Sequence, residues 1–342
     1  MIRSFATLAF AFRPVATVAF ASLTLLAVPS AASAQAPAGG AGGDWPARPV
    51  MLVNPFAAGS AVDVVARLVA QRMSQNLGQA VNVENRTGAS GNIGTEYVAR
   101  AKPDGYTLLL GSPGTMAINP WLFPKLPYDA VKDFAAVGQL VSFPQVVVAN
   151  PAQPIKTIPE LIDAARAKPG VLTHGSSGQG TTSHLVMELI KADAKIKMIH
   201  VAYRGGAPTI QAVAAGEVQI GVEGIPSLVG QIQAGRVRPL AVTSEKRSPL
   251  LPDVPAVAEY LPGFDASAWI VVMAPADTPA ALVARISSEL KRAVEDPAVR
   301  AQLESQGATV VGSTPAQTAA FHQRELQKFK RAVEISGAKA EQ

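Results

Sequence analysis

The chain has 342 residues, 48% of them hydrophobic and 16% charged, with a formal charge of +5. This balance excludes a disordered chain and gives enough length for two lobes with a substantial core. The basic residues are scattered rather than gathered into a stripe, which argues against nucleic-acid binding, and a chain without cysteine has neither a disulfide nor a thiolate metal site.

Residues 1–34 read as a secretory signal: Arg3 and Arg13, an apolar run from Val15 to Val28, then small residues with Ala32 and Ala34 flanking a cut before Gln35. The run is shorter than the ~20 residues that span a bilayer. A signal with no cysteine at its end argues against a lipoprotein, and the mature chain is expected in the periplasm of a diderm bacterium. Its charge, without the two signal arginines, is near +3, a mild match for an anionic ligand. Residues 35–44 form a Gly- and Ala-rich linker, and folded structure is expected from Trp45 onward.

From there strand-like runs alternate with helical periods. "VMLVNP" precedes a helix with Val64, Val65, Leu68, Val69, Met73 and Leu77 on one side; "AVNVENR", a helix around "GTEYVARA", and "YTLLLGS" follow. After "QVVVANP" the pattern repeats: "IPELIDAARA", "VLTHGSS", "TSHLVMELIKA", "MIHVAYRG", "APTIQAVAAG", "VQIGVEG" and "VRPLAVTS". A Pro-rich stretch leads to "SAWIVVMAP" and a long helix with Leu282, Val283, Ile286, Leu290 and Val294 on one face. This predicts an α/β fold of two mostly parallel, helix-covered lobes. Lobe 1 is expected over 45–147 and 268–342 and lobe 2 over 148–267, with the runs "QVVVAN" and "WIVVMAP" crossing between them. Open α/β sheets bind ligands at the carboxyl ends of their strands, so a cleft between the lobes is the expected site.

Four loops rich in Gly, Ser and Thr follow strands directly: 56–61, 86–92, 111–119 and 174–182. Each offers free backbone N–H groups near a helix start, which favour an anion. None has the phosphate lysine of a P-loop or a dinucleotide fingerprint. "HGSSG" brings His174 near Ser176 and Ser177, the basis of a serine-hydrolase alternative on Ser177. It lacks a G-x-S-x-G elbow and an assignable acid. His174, His184, His200 and His322 do not have metal-ligand spacing, and no cofactor is indicated. In the first loop Ser60, Ala61, Val62 and Asp63 fit a helix capping box, and the same turn offers the backbone of Ala58, Gly59 and Ala61 to a ligand.

The stretch from "WPARPVMLVNPFAAGSAVDVVARLV" to "GSPGTMAINP", continued by "LTHGSSGQGTTSHL", "IHVAYRGGAPTIQAVAAGEVQ", "RPLAVTSEKRSPLLPDVPAVAE" and "WIVVMAPADTP", resembles the substrate-binding proteins of tripartite tricarboxylate transporters, the Bug-type receptors. The resemblance covers almost all of the mature chain. It implies a type II periplasmic binding-protein fold, no catalysis, and delivery of a small carboxylate to a membrane permease by a monomeric receptor; a sensor that presents its ligand to a signalling kinase is the alternative. The family's first loop reads close to P-x-G-G-S-T-D. Here Ser60 replaces a glycine and Ala61 and Val62 replace hydroxyl residues, which implies a more apolar wall and an aromatic or aliphatic acid. Carried over by position, the ligand site comprises Phe56, Ala58, Gly59, Ser60, Ala61 and Asp63, then Ser90, Gly91, Ser112 and Thr115. From the second lobe come Ser176, Ser177, Gly178, Thr181, Arg204 and Glu223. Asp63 is expected to cap the helix or reach the ligand through water, because a free carboxylate against an anion is repulsive.

Overall fold

The computed structural model describes residues 45 to 340, so the expected signal segment and linker lie outside the described residues. The first lobe opens with β1 (Val50–Asn54), α1 (Ala61–Leu77), β2 (Val81–Asn85), α2 (Asn92–Ala99) and β3 (Thr107–Gly111). A π-helical turn, Gly114–Ile118, runs into α3 (Asn119–Leu122), and β4 (Phe134–Phe143) follows. The second sheet is built by β5 (Gln145–Ala149), α4 (Ile158–Ala167), β6 (Thr173–Ser176), α5 (Thr182–Ala194), β7 (Ile199–Ala202), α6 (Gly206–Ala215), β8 (Ile220–Gly224), α7 (Ile225–Gln233) and β9 (Arg238–Val242). The chain then returns through β10 (Ala268–Pro275), α8 (Ala280–Val294), α9 (Pro297–Ser305), β11 (Thr309–Val310) and α10 (Pro315–Ser336).

The strand orders are β11-β4-β10-β3-β1-β2 and β7-β6-β8-β5-β9. Strands that alternate with helices pair in parallel: β1 with β2 and β3, and β6 with β7 and β8. Both sheets are nevertheless mixed, because β10 and β5 run antiparallel to both their neighbours. These are the strands that begin where the chain changes sheet. Gln145 pairs with Gly224, the carboxyl end of β8, so the chain enters the second sheet at that edge and has to run down it. The runs 145–149 and 268–275 therefore lie wholly within the second and first sheets, and the crossings fall just before them, the first at Pro144.

Packing explains the strand sequences. On β5, Val146 and Val148 join a cluster with Ile210, Val213, Ile225 and Leu228 of α6 and α7. Val147 and Ala149 face the opposite cluster, with Leu161 of α4 and Leu185 and Leu189 of α5. Burial on both faces is why this strand reads as a continuous apolar run. α1 buries Val65, Ala66, Val69, Ala70 and Met73 and ends at Gly78, whose left-handed φ of 66° lets its N–H reach Ser74 O. In α10, Phe329, Ala332 and Val333 belong to the same cluster as Leu185 and Leu189, and Arg331 bonds Asp193 at 2.6 Å. The C-terminal helix thus packs across onto the second lobe.

Candidate functional site

The carboxyl ends of both parallel strand sets open on one cleft of about 630 Å³. Phe56, Ser60, Ala61 and Val62 form one part of its wall, and Ser90, Ser112, Ile118, Asn119 and Leu122 extend it. Opposite stand Gln179, Gly180, Thr181 and Thr182, with Gly224, Pro226 and Ser227 beside them. The strand ends that flank the two crossings supply Phe143 of β4, Gln145 of β5, and Ala268, Trp269 and Ile270 of β10. Not one of the lining side chains is charged.

The first-lobe turn is organised by Asp63. Ser60 caps α1, its Oγ accepting the Asp63 N–H at 3.3 Å. The Asp63 carboxylate does not close the capping box on Ser60; it accepts the N–H of Gly59 at 2.9 Å, where φ is +80°. Arg67 donates to both carboxylate oxygens, at 2.9 and 3.1 Å, and Asn85 adds a bond at 2.8 Å while also holding Phe56 O at 3.0 Å. The Arg67 bonds hold the Asp63 carboxyl well below the usual range, assisted by Gly59 and Asn85. This leaves the N–H groups of Ala61 and Val62, the first two positions of α1, without an acceptor among the described residues, at the cleft wall.

The facing turn repeats the device. Thr181 caps α5, accepting the His184 N–H at 3.4 Å and donating to Gly178 O at 2.7 Å, and the N–H groups of Thr182 and Ser183 have no acceptor among the described residues. Behind the turn, His184 Nδ1 accepts the Gly180 N–H at 3.1 Å and its ring stacks on His200, centroids 3.7 Å apart. His200 Nε2 meets Ser176 Oγ at 2.7 Å, and Ser176 Oγ bonds Gly178. Burial, with His184 and His174 adding to it, lowers the His200 pKa to about 3, so this ring is neutral at physiological pH. Glu188 lies within 3.5 Å of His184 Nε2 and 2.6 Å of Lys191; burial opposes its charge, but the bonds offered by His174, His184 and Lys191 prevail and hold its pKa below the usual range. The His184 and His200 rings, backed by the Glu188 carboxylate, thereby hold both halves of the loop.

Of the residues nominated from sequence, Phe56, Ser60, Ala61, Ser90, Ser112 and Thr181 line the cleft. Ala58 and Gly59 are exposed in the turn before α1. Asp63, Gly91, Thr115, Ser176, Ser177 and Gly178 stand behind the wall and shape it: Thr115 Oγ1 accepts the Ser112 N–H at 3.2 Å, and Ser177 Oγ bonds Ser183 Oγ at 2.8 Å. Arg204 is exposed, outside the lining. Glu223 is buried near the end of β8, its Oε1 without a partner, and burial raises its pKa to about 7. A Cβ at position 206 would lie 2.8 Å from Glu223 Oε2, so this seat requires Gly206.

Sequence reasoning named Val62 only as an apolar replacement in the wall, and left Asn119, Leu122, Gln145, Gln179, Thr182, Ser227 and Trp269 out of the site. Ser227 had a usable signal, since "GIPS" after β8 is another strand-to-helix turn with small residues. Asn119 had less: its Nδ2 bonds Ser90 O at 3.1 Å and Asn92 Oδ1 at 2.7 Å, joining loops far apart in sequence.

Residues 65–337 match the model of the tripartite tricarboxylate transporter family receptor. The chain is 36% identical to the BugT protein of Bordetella pertussis over 299 residues, 86% of this chain and 91% of that one. Among solved structures it is similar to R. palustris Rpa4515 with adipate (34% identity, TM-score 0.73, 87% of this chain and 100% of that one). It is also similar to MatC of Rhodopseudomonas palustris with bound malate (34% identity, TM-score 0.69, 84% and 99%). It is similar as well to the periplasmic binding protein BugD (31% identity, TM-score 0.69, 87% of this chain and 100% of that one), and Ser177 Oγ bonds the hydroxyls of Thr181 and Ser183 rather than an imidazole. The chain belongs to the tripartite tricarboxylate transporter receptor family, as a two-lobed solute-binding protein without catalytic activity.

Proposed function

We propose that this protein captures a small carboxylate with an apolar body and delivers it to the membrane permease of a tripartite tricarboxylate-type transporter. The observation that carries this reading is that the N-termini of α1 and α5 present free N–H groups to one cleft that contains no charged side chain. A carboxylate fits such a site because unpaired N–H groups and two helix dipoles favour a negative charge without a fixed cation. Ser60, Ser90, Ser112 and Thr181 add neutral polar groups. Phe56, Ala61, Val62, Ile118, Leu122 and Ile270 suit an aliphatic or aromatic body better than a hydroxyl-rich one. Adipate in Rpa4515 and malate in MatC support the carboxylate class, and the family's name supports a permease as the receiving partner. The receptor acts in the periplasm as a monomer, after removal of residues 1–34 between Ala34 and Gln35. Lobe 1 comprises 45–147 and 268–342, lobe 2 148–267, and they close on the ligand.

The decisive experiment removes a donor while leaving the fold in place. Ala61 and Thr182 each occupy the first helical position, where proline is tolerated, and the preceding ψ angles of 160° and 163° already suit a residue before proline. Ala61→Pro and Thr182→Pro are expected to unfold within a few degrees of the wild type. By calorimetry, each is expected to weaken binding of the tightest acid from a screen of mono- and dicarboxylates at least ~10-fold, or ~1.4 kcal/mol. Unchanged affinity in both folded variants refutes a carboxylate seated on these two helices.

A further inference from the structure

The two crossings between the sheets form a wall with two sides. Along the first, Ser142 and Pro144 open on one side and Phe143 and Gln145 on the other, as side chains alternate along extended chain. Along the second, Ser267 faces the former side and Ala268 and Ile270 the latter. Phe143, Gln145, Ala268 and Ile270 line the ligand cleft. Ser142, Pro144 and Ser267 line a separate pocket of about 430 Å³ on the hinge side, where Lys246, Asp265, Glu325 and Lys328 make the surroundings charged.

Trp269 is the residue common to both cavities. Only 2% of it is exposed, its Nε1 donates to Glu325 Oε2 at 2.8 Å, and its ring meets Phe321 edge-on at 5.4 Å. Glu325 is itself held by Lys328, and both belong to α10, which also packs on the second lobe. A large ring fixed at its polar edge and along its face cannot move aside for a ligand without breaking a buried hydrogen bond.

We propose that Trp269 is a specificity-determining residue: a bulkhead that separates the neutral ligand cleft from the charged hinge pocket and sets the greatest length of acid the receptor accepts. The inference rests on the carboxylate reading above and extends it to a ligand whose carboxylate sits on the α1 and α5 N-termini and whose far end stops against the indole. Acids short of the wall leave apolar surface uncovered. Acids too long for it have to displace the ring or bend, so affinity rises with chain length and then falls sharply.

Calorimetric titration of the full mature chain with linear alkanoates and α,ω-dicarboxylates of four to twelve carbons tests this. In the wild type a cut-off is expected, with at least ~10-fold loss of affinity within two carbons. In Trp269→Ala and the milder Trp269→Leu, confirmed folded by circular dichroism, the two cavities join, and the cut-off moves outward by two carbons or more. A second measurement needs no variant: ω-bromoalkanoates quench indole fluorescence on contact, and quenching at saturation is expected to peak at the cut-off length. A wild-type series without a cut-off, a cut-off unmoved in a folded variant, or quenching independent of length overturns the bulkhead. Failure of every acid to bind the wild type overturns the carboxylate reading instead.

Discussion

Asp63 accepts the backbone N–H of Gly59 at 2.9 Å and so turns the loop before α1 back onto the helix it precedes. Both carboxylate oxygens are then occupied, by Gly59, Arg67 and Asn85. Asp63 therefore organises the turn that carries the proposed anion site and is not itself part of the cleft lining. Asp63→Asn is expected to lower stability by about 1–3 kcal/mol, because one carboxylate oxygen that accepts bonds becomes an amide that donates them. The acid dependence gives the sign. A carboxyl whose folded pKa is depressed stabilises the fold above its unfolded pKa of about 4 and loses that contribution as pH falls through the lower folded value. Thermal unfolding from pH 7 down to pH 2 should show the gap between wild type and variant narrowing below pH 4. A gap constant across that range contradicts the assignment.

With no charged side chain on the cleft wall, the attraction for a carboxylate comes from short-range N–H donors and helix ends. Such contacts are screened by salt far less than a long-range field. The dissociation constant for an acid ligand is expected to change less than ~3-fold between 20 and 500 mM sodium chloride, values chosen to span Debye lengths from about 20 Å to about 4 Å. A tenfold loss measured by calorimetry indicates a cation in the site and removes the basis for a neutral seat.

How much of this was legible in the chain follows from what each feature depends on. The strand–helix alternation and the small-residue turns are local patterns, so the parallel strand sets and the cap at Ser60 follow from sequence. β4 escaped because Gly138 and Gln139 interrupt its apolar run, although it pairs with β10 from Phe134 to Phe143. The antiparallel sense of β5 and β10 depends on which edge of the sheet the chain enters, which periodicity does not encode. Within the site, Ser60 and Thr181 announce themselves as hydroxyls at helix starts. Gln145 and Trp269 do not, since their role comes from two crossings more than 120 residues apart in number lying side by side, a relation visible only in the Trp269–Ser142 register.

His184 offers a test of the wall behind the second donor turn. Its Nδ1 accepts the Gly180 N–H, which fixes the neutral tautomer with hydrogen on Nε2, toward Glu188. His184→Leu removes the acceptor and the stack on His200, and is expected to weaken acid binding about 10-fold. His184→Asn places an amide oxygen near the position of Nδ1 and should recover much of that loss. Exchange of the Gly180 amide, followed by nuclear magnetic resonance, is expected to quicken in the leucine variant and slow again in the asparagine variant. Equal affinities in all three proteins, with Gly180 protection unchanged, rule out a positioning role.

Glu223 makes the pH dependence of the second lobe unlike that of the first. Burial raises its pKa from 4.5 to about 7, against the opposing effect of the Ser177 and Ser183 hydroxyls. A carboxyl with a raised folded pKa is no burden while it is protonated in both states, below its unfolded pKa. Its ionisation in the unfolded chain then draws stability away as pH rises, until the folded group also ionises near pH 7. Over that window the loss approaches about 3 kcal/mol, the shift of pKa converted to free energy. Glu223→Gln keeps the shape and hydrogen-bonding capacity at the end of β8 but has nothing to titrate. The variant is therefore expected to match the wild type within about 1 kcal/mol near pH 4.5 and to exceed it progressively up to pH 8, as measured by urea unfolding at half-unit intervals. Parallel stability curves for the two proteins from pH 4.5 to 8 would show that Glu223 ionises in the fold as freely as in water, and that its unpartnered oxygen is no strain on the lobe.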